Sequence, residues 1–455
     1  MKNVVQCGGA TATLLVGALG VLAGACVLPA PLGSFDTDTD TDGGSGGGSS
    51  GDPDGGGHSS APGTAEGSTG EVPGAATAID ILFVFDNSGS MGEEQGALAA
   101  SIDALVTQLE QVQGASYRIG ITTTDVGNPW CGSTSPEAGH LQVSSCREHL
   151  EDFVFNGNTP QDATNTACLD VCELDSIPLT PTVTEFDPTP RVRPWIEGGA
   201  GGTNLDGVGL TEALRCAMPQ GINGCGFESP LEAMYKALLR TSAAAEPSYG
   251  FTRSDAHLAI IFVTDETDCS YLDDSIFLPE NMGGHPEIFW SDPLASAPSS
   301  AVCWNAGVTC SGSGDPYEEC HAVDRAVDGS FTDDPHDAVL RPTADYIEFL
   351  SEVRAIKQSQ GASVFLFGVV GVPVGYPAVP ITYANSPDAQ EQADFGIAAG
   401  CSSAWGRATP PVREREVIEA FGVEGMGPTL YSICEPPLAN VYADIVGQLA
   451  PYLGG

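Results

Sequence analysis

The residues with the clearest chemical potential are Asp86, Ser88 and Ser90, in the run Asp86-Asn87-Ser88-Gly89-Ser90. At alternate positions of one tight loop, a carboxylate and two hydroxyls can converge on a single point. That donor set suits a hard divalent cation such as Mg2+, Ca2+ or Mn2+, which takes oxygen ligands. The same residues also suit a helix N-cap with a turn. The preceding residues 79–85 are apolar apart from Asp80 and read as a buried strand, and the carboxyl ends of parallel strands are where open α/β sheets bind ligands. Two later strand-like runs end in the same way: 117–124 in hydroxyls followed by Asp125, and 256–263 in Thr264-Asp265.

The elements that must position these residues alternate between two periods. After the first strand, Leu98, Ile102, Leu105, Val106 and Leu109 recur at helical spacing, which predicts a helix over about 93–113. Further helices are expected at about 208–218, 230–239, 344–356 and 438–453, and another buried strand at 363–371. Strands alternating with helices predict an α/β fold with a doubly wound, mostly parallel central sheet flanked by helices. Two long segments rich in Pro, Gly, Asp, Ser and Cys, about 129–220 and 269–338, interrupt the pattern. Loops of that length are uncommon without a function or staples.

The chain has 455 residues, with 60 acidic against 16 basic side chains and a formal net charge of −44. A charge of that sign repels nucleic acid and anionic membrane surfaces while concentrating cations, so nucleic-acid binding is not expected. Residues 1–25 resemble a bacterial lipoprotein signal: Lys2 precedes a Leu/Val/Ala/Gly-rich run that closes on Ala23-Gly24-Ala25 before Cys26. Cys26 is the expected lipidation site, and a lipid anchor the expected membrane attachment, of an exported outer-membrane or cell-surface lipoprotein; a periplasmic or secreted protein is the alternative. Residues 26–75 form a low-complexity acidic, Gly/Ser-rich segment that reads as a tether, leaving 76–455 as one domain. Beyond Cys7 and Cys26 stand twelve cysteines, an even number that reads as a disulfide framework in an exported chain. Spacing suggests the pairs Cys131–Cys146, Cys168–Cys172, Cys216–Cys225, Cys310–Cys320, Cys269–Cys303 and Cys401–Cys434.

Residues Ile81-Leu82-Phe83-Val84-Phe85-Asp86-Asn87-Ser88-Gly89-Ser90-Met91 resemble the first strand and DxSxS loop of a von Willebrand factor type A domain. Ile260-Ile261-Phe262-Val263-Thr264-Asp265-Glu266 is similar to that family's strand ending in Thr-Asp. The Cys-rich runs 224–233 and 264–270, with Ser432-Ile433-Cys434, are similar to secreted type A proteins of myxobacteria-like bacteria. The resemblance implies a Rossmann-like fold over about 78–453 and a divalent cation held by Asp86, Ser88 and Ser90, with Asp265 usually acting through water. It also implies a Thr ligand on the loop before the helix that leads into the second strand. By position that loop is 224–228, where Glu228 stands in for the Thr; by residue type Gly201-Gly202-Thr203-Asn204 resembles it, which makes Thr203 the alternative. Glu266 and Asp268 read as solvated loop carboxylates.

The expected function is capture of a protein partner, whose carboxylate completes the coordination of the cation. An envelope scaffold with a purely structural cation is the alternative, and a metal-dependent hydrolase a lesser one. Residues 76–455 contain no HExxH, no Gly-x-Ser-x-Gly elbow and no phosphate-loop motif, so an enzyme is not expected.

Overall fold

The computed structural model describes residues 77–157, 160–404, 406–423, 425–435 and 438–453. The expected signal, Cys26 and the tether lie outside the described residues.

The core is a six-stranded sheet. Its strands in chain order are β1 (Ala78–Phe85), β2 (Ser116–Thr123), β3 (Ile196–Gly199), β4 (His257–Val263), β5 (Val364–Val370) and β6 (Leu430–Ser432). Across the sheet they run β3-β2-β1-β4-β5-β6. All pairings are parallel except that of β3 with β2 at one edge. Residues 79–85 of β1 are buried on both faces, which explains the near-continuous apolar run in the sequence.

The two faces follow the strand period of two. Ile79, Ile81, Phe83 and Phe85 face one core, covered by α1 (Gly92–Ser101), α2 (Asp103–Gln111), α3 (Leu210–Ala217) and α7 (Ala439–Leu449). Leu82 and Val84 face the other, covered by α4 (Pro230–Ser242), α5 (Thr343–Ser359) and α6 (Val412–Glu419). Asp80, the polar break in β1, is fully buried and paired with Arg253 at 2.8 Å and with Lys357 at 3.9 Å. The single helix expected over 93–113 is two, divided at Ile102.

The expected first insertion is too long. β3 and α3 fall inside 129–220 and belong to the sheet and its cover, because Ile196 to Gly199 pair along β2. The second insertion packs a small core of its own around Ile276, Phe277, Phe289 and Val302. A third irregular stretch, between β5 and α6, carries a short helix (Ala389–Phe395) and the two-residue strand pair Cys401–Ser402 and Arg407–Ala408.

Six disulfides staple these segments. Cys269–Cys303, Cys310–Cys320 and Cys401–Cys434 pair as spacing suggests. The other three differ: Cys131 pairs with Cys225, Cys146 with Cys168, and Cys172 with Cys216. Nearness along the chain misleads here. Cys168 and Cys172 share one turn, the Cys172 amide donating to the Cys168 carbonyl at 2.8 Å, yet each side chain reaches a different partner. Cys131 and Cys225, 94 residues apart, lie with Cα atoms 5.3 Å apart. Six disulfides fit an extracytoplasmic location. Among the described residues no helix is long and apolar enough to cross a membrane.

Candidate functional site

The strand order reverses direction between β1 and β4, and in open α/β sheets this switch point opens a crevice beyond the carboxyl ends of the strands. Asp86 directly follows β1, and Thr264-Asp265 directly follow β4. The parallel register that pairs Phe85 with Val263 therefore brings Asp86 and Asp265 together across the crevice.

The contacts there are specific. The Asp86 carboxylate accepts from the Ser88 amide at 2.8 Å and from the Thr264 hydroxyl at 2.6 Å. The Ser88 and Ser90 hydroxyls lie 3.1 Å apart, and Ser90 Oγ donates to Asp265 Oδ1 at 3.2 Å. Gln95 on α1 pins the loop from below: its Nε2 donates to the Asp86 carbonyl at 2.8 Å and to the Gly221 carbonyl at 2.7 Å. Gly224 packs so closely on Asn87 that a Cβ there would stand 2.4 Å from the amide carbon.

Glu228 joins from the loop before α4. It is fully buried; one oxygen accepts from the Thr124 hydroxyl, while Oε1 has no hydrogen-bond partner. Its backbone is tied to the loop after β4, since the Cys269 amide donates to the Glu228 carbonyl at 2.6 Å and Ser229 Oγ donates to the Cys269 carbonyl at 3.0 Å. Two disulfides anchor these loops, at Cys225 and at Cys269.

Thr203 stands elsewhere. Gly199 pairs with Ser116, the first residue of β2, so the 200–204 turn sits at the amino ends of the parallel strands, a strand's length from the crevice. There its hydroxyl accepts from the Leu205 amide at 3.1 Å. Of the two candidates for a further ligand, only Glu228 is at the crevice.

Burial and mutual repulsion hold these acids toward their protonated forms. Removal from water raises Asp86. It raises Glu228 and Asp265 well above the carboxylate range, with the Asp86 charge adding to both. Two further acids belong to the cluster. Glu94 on α1 is pushed up to about 7 by burial and by the neighbouring Glu93 and Asp86 charges. Glu266 is pushed up to about 8 by burial and Asp86, with Arg407 pulling the other way. Each has one oxygen, Oε2, without a partner.

Sequence reasoning did not single out Gln95, Glu94 or Thr124, and it read Glu266 and Asp268 as solvated. Glu266 is half-buried at the crevice, and Asp268 is fully buried against Arg413 at 3.0 Å. The available signal for Glu94 and Gln95 was their place on the first turn after the loop.

Among the described residues no three His, Cys, Asp or Glu side chains form a metal-holding group by themselves. A cation at this crevice would therefore draw on the Ser hydroxyls and on water as well as on carboxylates. The unpartnered Glu228 oxygen and the convergent Asp86, Ser88, Ser90 and Asp265 oxygens fit a hard divalent ion.

Above Ser90 and Asp265 opens a cleft of about 490 Å3, also lined by Glu93, Asp162, Glu266, Phe395 and Arg407. The class so defined is a disulfide-stapled, mixed α/β protein with an oxygen-rich crevice at its switch point. No family model matches the chain, and no curated protein matches it.

Proposed function

We propose that this chain is an exported, cell-surface binding protein of the von Willebrand factor type A kind, which captures a protein partner through a divalent cation. The observation that carries the reading is the hydrogen-bonded set Asp86, Ser88, Ser90 and Asp265, gathered from loops 175 residues apart at the switch point, with the unpartnered Glu228 oxygen beside it. Asp86, Ser88, Ser90 and Glu228 would hold the ion, and Asp265 would reach it directly or through water. A bound divalent ion supplies an open coordination position for an Asp or Glu of the partner. Gln95, Thr264 and the two loop disulfides keep the oxygens in place, which lowers the ordering cost of binding. The lipid anchor at Cys26 is part of the same proposal.

One observation favours a second reading, a scaffold with a structural ion: Glu228 is fully enclosed, and a carboxylate in place of a hydroxyl leaves less room for an exchangeable ligand.

Calorimetric titration of Mg2+, Ca2+ and Mn2+ into the metal-stripped full chain, beside its Asp86→Ala variant, tests both readings. One-to-one binding that is lost in the variant is expected. Binding unaffected by Asp86, or no binding, refutes the cation site. Ion binding with no response to an added acidic peptide supports the scaffold.

A further inference from the structure

The three irregular segments that interrupt the sheet meet in one trough beside the crevice. Its cavity measures about 640 Å3 and shares Glu266 and Phe395 with the cleft above Ser90 and Asp265, so the two are continuous. Phe155 comes from the first segment, Trp290 and the 291–300 turn from the second, and Asp394 and Phe395 from the third. Contacts between and within the segments hold the walls. Ser299 Oγ donates to the Ala393 carbonyl at 2.7 Å, and Trp290 Nε1 to the Ile276 carbonyl at 2.8 Å. Phe155 packs on the oxygen-rich loop itself, where a Cβ at Gly89 would stand 2.9 Å from its ring.

The lining combines an apolar surface, from Phe155, Trp290, Pro298 and Phe395, with three acids and no base among the described lining residues. Asp292 is exposed and Asp394 half-buried. In each, Oδ1 accepts one local hydrogen bond, from the Leu294 amide and from Gln390 Nε2, both at 2.9 Å. Arg407 in the adjoining cleft does not neutralise them, since its guanidinium is stacked on Phe395 and paired with Glu391 at 2.6 Å. An anionic occupant would be repelled. A lysine or arginine side chain suits both features at once, because its methylene stem covers apolar surface while its head stays at a wet, acidic rim. The volume falls within the range of about 300–1,000 Å3 common to ligand pockets, and walls tied in place reduce the ordering cost of binding.

We infer that this trough receives a lysine or arginine side chain of the protein partner, with its stem on the apolar wall and its charged head at Asp292 and Asp394. The inference rests on the cation-dependent reading of the crevice and adds a second requirement to it: beside the carboxylate that meets the ion, the partner segment carries a base.

The test titrates acetyl-Lys-Gly-Gly-Asp-Gly-Gly-Lys-amide, and its twin with norleucine in place of both lysines, into the full chain with and without saturating Mg2+. Flanking bases serve either chain direction, and norleucine keeps the stem while removing the charge. The buffer holds about 0.15 M salt, where a Debye length of about 8 Å screens the diffuse charge of the chain. The proteins are the wild type, Asp292→Asn/Asp394→Asn, Asp86→Ala and a control, Asp274→Asn/Asp337→Asn, which removes the same charge from a cleft that shares no lining residue with the trough. Asn keeps the local acceptor in each variant, and equal urea midpoints report intact folds. The wild type is expected to bind the Lys peptide about fivefold more tightly than its twin, as for an ion pair at a partly exposed site. Asp292→Asn/Asp394→Asn should remove most of that preference and the control should retain it. A wild type that does not distinguish the peptides overturns the inference, as does a preference that survives in Asp292→Asn/Asp394→Asn or falls equally in the control. Failure of the underlying reading has a separate sign: wild type and Asp86→Ala bind Mg2+ identically. In that case the peptide preference measured without Mg2+ still decides the role of the trough.

Discussion

Substituting Arg413 by Met should destabilise this protein more than any surface change, because Arg413 ties three elements at the site through one buried ion pair. Arg413 on α6 is fully buried; its Nε donates to Asp268 Oδ2 at 3.0 Å and its Nη2 to the Arg341 carbonyl at 2.6 Å. Asp268 Oδ1 in turn accepts from the Leu231 amide at 3.3 Å and from the Ser270 hydroxyl at 2.5 Å, and Ser270 Oγ accepts from the Glu232 amide at 2.9 Å. The pair thus caps the start of α4, directly after Glu228, and fixes the loop that begins at Asp265. Arg413→Met keeps most of the apolar stem but leaves Asp268 charged and unpaired in the interior, which costs about 3–5 kcal/mol. Adding Asp268→Asn removes that charge and keeps an acceptor for the Leu231 amide, so the double variant should recover about half of the loss. Urea unfolding of the oxidised chain, followed by both circular dichroism and Trp fluorescence to check that the transitions coincide, measures the four corners of the cycle. A cost below about 1 kcal/mol for Arg413→Met, or strict additivity of the two changes, would refute the reasoning.

Two further outcomes follow from neighbouring residues. Glu414 is fully buried with both carboxyl oxygens unpartnered, and burial together with the Asp268 charge pushes it up to about 8. Between about pH 4.5 and pH 8 the folded chain therefore holds a proton that the unfolded chain has lost; this stability is fully present at the acid end and disappears as pH rises to 8. Glu414→Gln should flatten the corresponding part of the denaturation midpoint against pH, and an unchanged slope would count against a protonated Glu414. Gly224→Ala places a methyl group 2.4 Å from the Asn87 amide carbon, which must push the 86–90 loop aside. Calorimetry should then show weakened divalent-ion binding with the unfolding free energy lowered by only about 1–3 kcal/mol, whereas ion binding equal to that of the wild type would show that the loop tolerates the shift.

How much of this was legible in the sequence depends on the range of the interaction. Strands β1, β2, β4 and β5 were readable because full burial on both faces forces continuous apolar runs, and the loops that end β1 and β4 were readable because those runs stop abruptly at hydroxyls and carboxylates. Edge strands β3 and β6 were not. Three or four residues such as Ile196 to Gly199 carry too little periodicity to stand out from the Cys- and Pro-rich segment around them. Asp268 looked like one more carboxylate in an acidic chain, since its partner lies 145 residues away on α6, and no local pattern encodes that contact.

The same limit governs the cysteines and the third oxygen donor. Closure along the chain favours near neighbours only in the unfolded state; in the folded state the sheet order decides, and it sets Cys131 beside Cys225 because the chain must return from the β3 edge to the switch point before α4 begins. Thr203 matched an expected residue type but sits where the chain leaves β3, and an antiparallel edge strand leaves the sheet at the end opposite to its parallel neighbours. Glu228 matched only by position, and position was the better guide, because a loop's place between successive sheet elements fixes which end of the sheet it reaches whatever side chain it carries. A Thr or a Glu at 228 would stand at the same crevice; the difference between them lies in the carboxyl group, which burial and the Asp86 charge hold toward its protonated form and which keeps one oxygen without a partner.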